Sequence, residues 1–134
     1  MGLDNGIQVK RTPETNKIKE LAIFNQDYDK ELKYDFEVAY WRKCWGLRND
    51  ILYLIGKRWS DGWRFTLSKD DVDNIINLLE SYNEETWEDS IWEWTSDEEG
   101  WSYSEHIKQD IKSLRLLRDF MNKYELEVYF YDSY

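Results

Sequence analysis

Strand-like alternation at both ends of the chain is the feature that most constrains its fold. Near the start, the apolar residues Ile7 and Val9 alternate with polar neighbours, and near the end Val128 and Phe130 do the same. A period of two is typical of a β-strand that buries one face. Pairing the two strands in one sheet would tie down both ends of the chain. We therefore expect a small sheet that includes both terminal strands, the first over residues 6–11.

Helical periodicity occupies much of the chain between these strands. Apolar residues at helical spacing predict helices over residues 36–55 and 104–124 and a third that begins at Ser68. Ser68 has the features of an N-cap, since two aspartates follow in the first turn and complement the helix dipole. The Asp-Gly pair in residues 59–63 predicts a β-hairpin. Together these patterns predict one α+β domain over residues 1–134, with the small sheet packed against two to three helices.

The apolar content of the chain comes mainly from large aromatic rings. Its 134 residues include 8 Trp, 10 Tyr and 5 Phe, and the mean hydropathy is −0.85. Such rings supply enough core area for a folded domain, so disorder is not expected. No apolar run approaches the roughly 20 residues of a membrane-spanning helix, and the start lacks the pattern of a signal peptide. Because Cys44 is the only cysteine, no intrachain disulfide can form, and we expect a cytoplasmic protein.

The negative charge of the chain is concentrated in one segment. The chain has 28 Asp and Glu against 18 Lys and Arg, a formal net charge of −10. Residues 84–105 hold nine of these carboxylates, no Lys or Arg, and four of the 8 tryptophans. Acidity of this kind repels a phosphate backbone, so we expect no direct binding of nucleic acid. The expected partner is instead a protein with a basic surface.

This acidic, Trp-rich segment is the leading candidate for a contact surface. Carboxylates on a rigid surface can occupy Lys and Arg sites that otherwise bind a nucleic-acid backbone, and Trp rings supply the anchors typical of interface hot spots. The candidate partner-binding residues are Glu85, Glu88, Asp89, Trp92, Glu93, Trp94, Asp97, Glu98 and Trp101. The alternative is that the tryptophans belong to the core and the carboxylates form a solvated face. The segment could also fold back on Lys108, Lys112 and Arg115, which share one face of the last predicted helix.

A second candidate site is a locally basic, aromatic run in the centre of the predicted first helix. On a helix, Trp41, Trp45 and Arg48 would form one continuous strip that could stack a purine. Arg42 or Lys43 could then hold the phosphate, as suits a protein that sequesters a nucleotide signal. The alternative is a packed helix face in which the arginine stem covers an indole ring. A flat or fully buried face of Trp41 and Trp45 would rule out the ligand site.

Catalytic motifs are scarce in this sequence. His106 is the only histidine, and with Asp110 and Glu105 it could form at most a small hydrolase site or touch a metal ion. A histidine on the helix surface is the simpler interpretation. Cys44 lies in an apolar stripe without a nearby histidine, which favours an inert buried thiol. No phosphate-binding loop, dinucleotide fingerprint or nucleophile elbow is present, so we expect no cofactor, no metal and no enzymatic activity.

Three stretches of the sequence resemble known proteins. The opening MGLDNGI, the central AYWRKCWGLR and the closing VYFYDSY are similar to a group of small phage and prophage proteins. The resemblance runs from one terminus to the other but brings no catalytic residue with it. It implies a small accessory protein made in the cytoplasm of a bacterial host. The function we expect is therefore non-enzymatic binding of a host protein, in its sharpest form inhibition of a defence nuclease, as in anti-CRISPR and other anti-defence proteins.

Overall fold

The computed structural model describes residues 4–24, 34–42, 44–82 and 103–133, without the side chains at positions 45 and 103–106. This part of the chain contains four β-strands and four α-helices. The strands are β1 (Asp4–Val9), β2 (Phe36–Arg42), β3 (Arg64–Thr66) and β4 (Val128–Ser133). The helices are α1 (Pro13–Asn16), α2 (Trp45–Leu54), α3 (Lys69–Ser81) and α4 (Tyr103–Lys123), with short 3-10 helices at Lys19–Phe24 and Trp59–Asp61.

The four strands form one antiparallel sheet in the order β2-β1-β4-β3. The two terminal strands, β1 and β4, lie side by side at its centre, with Ile7 opposite Phe130 and Val9 opposite Val128. Strands β2 and β3 are the edge strands of this four-stranded sheet. The predicted α+β fold, in which a small sheet with both terminal strands packs against helices, is confirmed. Strand β1 begins and ends two residues earlier than the sequence predicted.

One face of the sheet packs against the helices and forms the core. Side chains alternate between the two faces of a strand, and the inward ones here are mostly apolar. They join the apolar faces of α2, α3 and α4 in a single buried cluster. Its central members are Ile7, Val9, Trp41, Phe65, Val128 and Phe130 from the sheet and Leu47, Ile51, Ile75, Leu79, Leu114 and Leu117 from the helices. No helix in the described ranges is both long and apolar enough to cross a membrane.

Helix α3 begins where the sequence predicts it. Ser68 Oγ accepts a hydrogen bond of 3.1 Å from the Asp71 backbone N–H, and the Asp71 carboxylate accepts one of 2.9 Å from the Ser68 N–H. This reciprocal capping box satisfies two backbone donors that would otherwise be left unpaired at the start of the helix. The helix then buries Val72, Ile75, Ile76 and Leu79 on one face. The last helix, α4, lies within one residue of the predicted range 104–124.

The predicted helix over residues 36–55 is wrong in its first part. Residues 36–42 form strand β2, and helix α2 begins only at Trp45. The apolar residues of this run fit a broad helical stripe, but they also fit a strand that buries one face. Pairing with β1 decides between the two, because it satisfies main-chain groups of both strands. For a run this short, periodicity alone does not separate strand from helix.

The predicted hairpin at residues 59–63 is also wrong. Residues Trp59–Asp61 form a short 3-10 helix, and the strand that follows, β3, pairs with β4, so that Phe65 lies opposite Phe130. A turn is nevertheless present, since Gly62 has a φ of 151°, a conformation that favours glycine. The local pattern predicts this turn, but it cannot indicate a partner strand at the far end of the chain.

Candidate functional site

All nine predicted partner-binding residues lie outside the part of the chain that the structure describes. They belong to residues 83–102, which connect α3 to α4. The residues concerned are Glu85, Glu88, Asp89, Trp92, Glu93, Trp94, Asp97, Glu98 and Trp101. The interpretation of this acidic segment as a partner-binding surface therefore stays a prediction.

The basic stripe predicted on the last helix is present. Lys108, Lys112 and Arg115 are exposed on α4 and line a shallow depression together with Glu80 of α3. Arg115 Nη2 lies 2.9 Å from Glu80 Oε1, so one of the three cations pairs with α3. Because Glu80 lies in the last turn of α3, the stripe borders the point from which the chain continues into the acidic segment. A contact between the stripe and that segment stays a prediction.

The structure does not place Trp41 and Arg48 together on one exposed helix face, as the predicted nucleotide site requires. Trp41 belongs to strand β2 rather than to a helix, and it is 0% exposed. Its Nε1 donates a hydrogen bond of 2.7 Å to Asp110 Oδ2 in the core. Arg48 lies on α2 and is 7% exposed, so neither side chain is open to a purine. The other predicted ligand residues are Arg42, exposed at the end of β2, and Lys43 and Trp45, whose side chains lie outside the described set.

Arg48 and Asp132 form a buried ion pair that joins α2 to β4. Arg48 Nε lies 3.0 Å from both carboxylate oxygens, and Nη2 lies 2.8 Å from Oδ2. Asn5 on β1 donates from Nδ2 to Asp132 Oδ1 at 2.8 Å. The planar guanidinium fork matches the carboxylate, and the pair stabilises a charge that would be costly to bury alone. Sequence patterns alone did not predict this link, although an aspartate at an inward-facing position of the last strand suggests that it has a buried partner.

The groups suggested for catalysis are buried or lie outside the described residues. Burial raises the pKa of Asp110 from its ordinary 3.8 to about 7, against the opposing effect of the Trp41 hydrogen bond. Cys44 is buried, as predicted, and burial together with the nearby Asp110 raises the pKa of its thiol well above the usual range. The side chains of Glu105 and His106 lie outside the description. Within the described ranges, no three His, Cys, Asp or Glu side chains are placed to hold a metal ion.

The outer face of the sheet contains a connected set of tyrosines and carboxylates. Tyr40 OH donates to Asp4 Oδ1 at 2.6 Å and links β2 to β1. Tyr131 OH donates to Glu37 Oε1 at 2.8 Å and links β4 to β2 across the intervening strand. The Tyr131 ring crosses β1 above Gly6, where an added Cβ would lie 2.6 Å from a ring carbon. The added Cβ would also lie 2.5 Å from the Ala39 carbonyl oxygen of β2, so glycine is required at this position.

Tyr129 is in contact with the remaining polar side chains of this outer face, Gln8, Asp35 and Arg64. Its hydroxyl lies within hydrogen-bonding distance of Gln8 Oε1 on β1 and of Asp35 Oδ2 just before β2. Arg64 on β3 pairs with Asp35 at 3.0 Å, and its guanidinium carbon lies 3.8 Å from the centre of the Tyr129 ring. Burial, followed by the hydrogen bond to Asp35, raises the pKa of Tyr129, so the hydroxyl keeps its proton. Side chains from β1, β3 and β4 are thus joined to the start of β2.

Two tryptophans are exposed beside one another in the turn before β3. Trp59 is 57% exposed and Trp63 is 60% exposed, and both line one depression. The other lining residues are Ser60, Gly62, Asp132 and Ser133. The Trp63 carbonyl accepts a hydrogen bond of 2.7 Å from the Asp132 backbone N–H, which ties the turn to β4. We call this the Trp59–Trp63 surface. The sequence pattern predicted a hairpin here and no contact surface, although two tryptophans around a turn can indicate one.

Comparisons with known proteins give no relative from which a function could be transferred. No family model, no curated protein and no solved structure matches the chain. Its function is therefore inferred from the chemistry of its own residues.

Proposed function

We propose that this chain is a non-enzymatic binding protein that recognises another protein. The observation that carries the proposal is the Trp59–Trp63 surface, where two indole rings are more than half exposed. Tryptophan is enriched at interface hot spots, because its large ring buries much apolar area and loses little conformational entropy. When a partner covers these two indole rings, their apolar surface is removed from water, which stabilises the complex.

The acidic segment, residues 84–105, supports the second part of the proposal, a partner with a basic surface. Nine carboxylates without a lysine or arginine create a local field that attracts a basic protein over several ångströms. Such a field mainly speeds association and selects the partner, whereas buried aromatic anchors slow dissociation. In this division of roles, the segment steers the encounter and the Trp59–Trp63 surface holds the complex together.

The partner we propose is a host protein in the bacterial cytoplasm, and the chain is then an accessory protein of a phage or mobile element. In the sharpest form of the proposal, the partner is a defence nuclease whose basic nucleic-acid groove the chain occludes, as an anti-CRISPR or other anti-defence inhibitor does. Carboxylates could take the place of phosphates in such a groove, because both accept hydrogen bonds from Lys and Arg.

The described interior favours binding over catalysis. The Cys44 thiol and the Asp110 carboxyl are buried, and Asp110 accepts a hydrogen bond from the Trp41 ring nitrogen. The Arg48 guanidinium is held by Asp132. These polar groups stabilise the fold and are not open to a substrate.

The acidic segment can be tested by its effect on association. The tagged full-length chain captures proteins from a bacterial lysate at low and at high salt, and the captured protein is then purified for kinetic measurement. Replacing Glu85, Glu88, Asp97 and Glu98 with Gln or Asn should slow association and reduce its salt dependence, while circular dichroism shows an unchanged fold. An unchanged association rate and salt dependence would reject the segment as part of the contact surface.

The Trp59–Trp63 surface can be tested with the same purified partner. Replacing Trp59 and Trp63 with Ala should weaken the complex by about 30-fold or more, the effect of losing roughly 2 kcal/mol from a hot spot. Tyr53→Ala is the matched control, since Tyr53 is 85% exposed on α2 and does not line this surface. Equal affinities for the control and the tryptophan variant would contradict the proposal.

A further inference from the structure

The Trp59–Trp63 surface contains an aromatic depression large enough for a small molecule. Its volume is about 470 Å³, within the range of roughly 300–1,000 Å³ that is typical of small-molecule sites. Gly62 lies between the two tryptophans in the chain, and a Cβ added to this glycine would meet no atom within 4 Å. The space above Gly62 is therefore open, and the two indole rings that line the depression are more than half exposed.

The polar groups inside the depression are neutral hydroxyls. Ser60 and Ser133 line it, both are exposed, and neither hydroxyl has a hydrogen-bond partner among the described residues. Asp132 also lines the depression, but its carboxylate is fully buried in the ion pair with Arg48. The depression thus offers aromatic faces and hydroxyls to a ligand, without a negative charge at its surface.

Cations lie directly beside the first tryptophan of this surface. Lys57 and Arg58 precede Trp59 in the chain, both are exposed, and neither forms an ion pair with a residue in the described ranges. The one carboxylate of the same run, Asp61, accepts a hydrogen bond of 2.8 Å from the Arg58 backbone N–H. In a chain with a net charge of −10, this border is locally positive.

A third cation lies beside the second tryptophan. The guanidinium carbon of Arg64 is 5.9 Å from the centre of the Trp63 ring. Arg64 also pairs with Asp35 at 3.0 Å, so it adds less positive charge than Lys57 and Arg58 do. Both ends of the aromatic pair are nevertheless bordered by basic side chains.

Exposed indoles beside cations suit a planar group that carries a negative charge. Nucleobases stack on aromatic side chains, and lysine and arginine hold phosphate groups. A neutral sugar would use the rings without the cations, and an inorganic anion would use the cations without the rings. A long nucleic-acid strand is repelled by the net charge of −10, whereas a single phosphate group meets little repulsion.

We propose that the Trp59–Trp63 surface binds a purine nucleoside monophosphate. The fused rings of a purine cover more of the two indoles than a pyrimidine does, so the base stacks on Trp59 and Trp63. Lys57 and Arg58 hold the phosphate by charge-assisted hydrogen bonds.

This inference goes beyond the proposed function but uses the same surface. A nucleotide and a partner protein cannot cover the same ring faces together, so they compete for the Trp59–Trp63 surface. A nucleotide titration contains no partner protein, and its failure would leave the protein contact as it stands. Failure of the protein contact would likewise leave the titration unaffected.

Calorimetric titration of the full-length protein at low salt tests the ligand class. Adenosine monophosphate is compared with adenosine and with inorganic phosphate, and it should bind one per chain and more tightly than either. No binding of adenosine monophosphate at millimolar concentration, or equal affinity for adenosine, would overturn the proposal. A single-stranded oligoadenylate that binds more tightly per nucleotide would show that the ligand is a strand and would overturn the choice of a mononucleotide.

Single variants of the two tryptophans test the stacking. Trp59→Ala and Trp63→Ala should each weaken binding of adenosine monophosphate about 5-fold or more, the effect of losing a base–aromatic stack. Both rings are more than half exposed, and circular dichroism checks that the fold is kept. Tyr53→Ala on α2 is the control, and equal affinities for the control and the tryptophan variants would overturn the proposal.

A pair of substitutions tests the phosphate contact. Lys57→Gln with Arg58→Gln should weaken binding of adenosine monophosphate about 10-fold at low salt and leave binding of adenosine unchanged. The matched control is Lys108→Gln with Lys112→Gln, which removes the same charge from the exposed face of α4. An equal loss in both pairs would show that only the overall charge acts and would overturn the assignment of Lys57 and Arg58.

Discussion

At the scale of single residues, Arg48 shows how the interior accommodates a charge. Its guanidinium is buried with the carboxylate of Asp132, and Asn5 supplies a further donor to the same carboxylate. The pair joins α2 to the two central strands of the sheet. A buried pair of this kind contributes little net free energy when compared with apolar residues, but removing one partner is strongly destabilising.

Replacing Asp132 with Ala should therefore lower the free energy of unfolding by about 3–5 kcal/mol. The physical cause is that the guanidinium of Arg48 stays buried without its bidentate acceptor. Urea denaturation at neutral pH measures the loss. The control is Lys10→Met, which breaks the exposed pair with Glu127 at 3.6 Å and should change the stability by no more than about 1 kcal/mol.

Asp110 leads to a prediction about pH. Its pKa is raised by burial from 3.8 to about 7, so the folded state holds a proton that the unfolded chain releases. This stabilisation is present below about pH 4 and is lost as the pH rises through about 7. Asp110→Asn keeps an oxygen acceptor for the Trp41 N–H and removes the titration, so the variant should lose less stability than the natural chain between about pH 5 and pH 8.

Denaturation at several pH values checks this prediction. Because burial also raises the pKa of Glu37, from 4.5 to about 7, Glu37→Gln and Asp110→Asn are measured singly and together. The two carboxyls lie on opposite faces of the sheet and accept hydrogen bonds from different residues, Trp41 and Tyr131, so their effects should add. An Asp110→Asn variant with the full pH dependence of the natural chain would contradict the assignment.

At the scale of elements, the start of α3 is determined locally. The Ser68 hydroxyl and the Asp71 carboxylate each satisfy a backbone N–H of the other residue, and both partners lie within one turn. Strand β2 behaves differently, because its apolar residues are compatible with helix or strand until β1 pairs with it. The two elements differ in how far apart along the chain their stabilising contacts are: the cap of α3 is local, whereas the partner of β2 is a distant strand.

Removing the cap should cost the stability that a single capping box provides. Ser68→Ala should lower the free energy of unfolding by about 1 kcal/mol, within a range of roughly 0.5–2 kcal/mol. Ser81→Ala at the other end of α3 is the control, since Ser81 is exposed and its hydroxyl donates only to the Leu78 carbonyl. Thermal unfolding followed by circular dichroism compares the two, and equal midpoints would argue against the cap.

At the scale of the whole molecule, the two terminal strands lie together in the centre of the sheet. Strand β4 pairs with β1 on one side and with β3 on the other, and its inward residues Val128 and Phe130 are fully buried. The sheet is therefore complete only when the last part of the chain is in place. Folding must bring the two ends together, which is a contact of very long sequence separation.

Truncation of the chain before Val128 should abolish cooperative unfolding, because it removes β4, the strand that pairs with both β1 and β3, and opens the core. Intrinsic tryptophan fluorescence and limited proteolysis report the loss. Removing only Tyr134 is the control, since β4 ends at Ser133 and all its pairings are kept. A truncated chain that still unfolds cooperatively with native fluorescence would show that β4 is dispensable.

The sequence by itself determined those features whose signals are local. Alternation predicted the terminal strands, the cap predicted α3, and the apolar period predicted α4 with the basic face of Lys108, Lys112 and Arg115. These patterns depend on neighbours within one or two turns, so they can be recognised without knowing what packs against them.

The tertiary structure alone decided which elements pair and which polar groups meet. It made residues 36–42 a strand, paired β3 with β4 instead of with its own neighbour, and buried Trp41 and Arg48, which the sequence had suggested as a ligand strip. The partners of these residues, Asp110 and Asp132, come from distant parts of the chain. Their contacts depend on how sheet and helices pack, and a local pattern of residues does not contain that information.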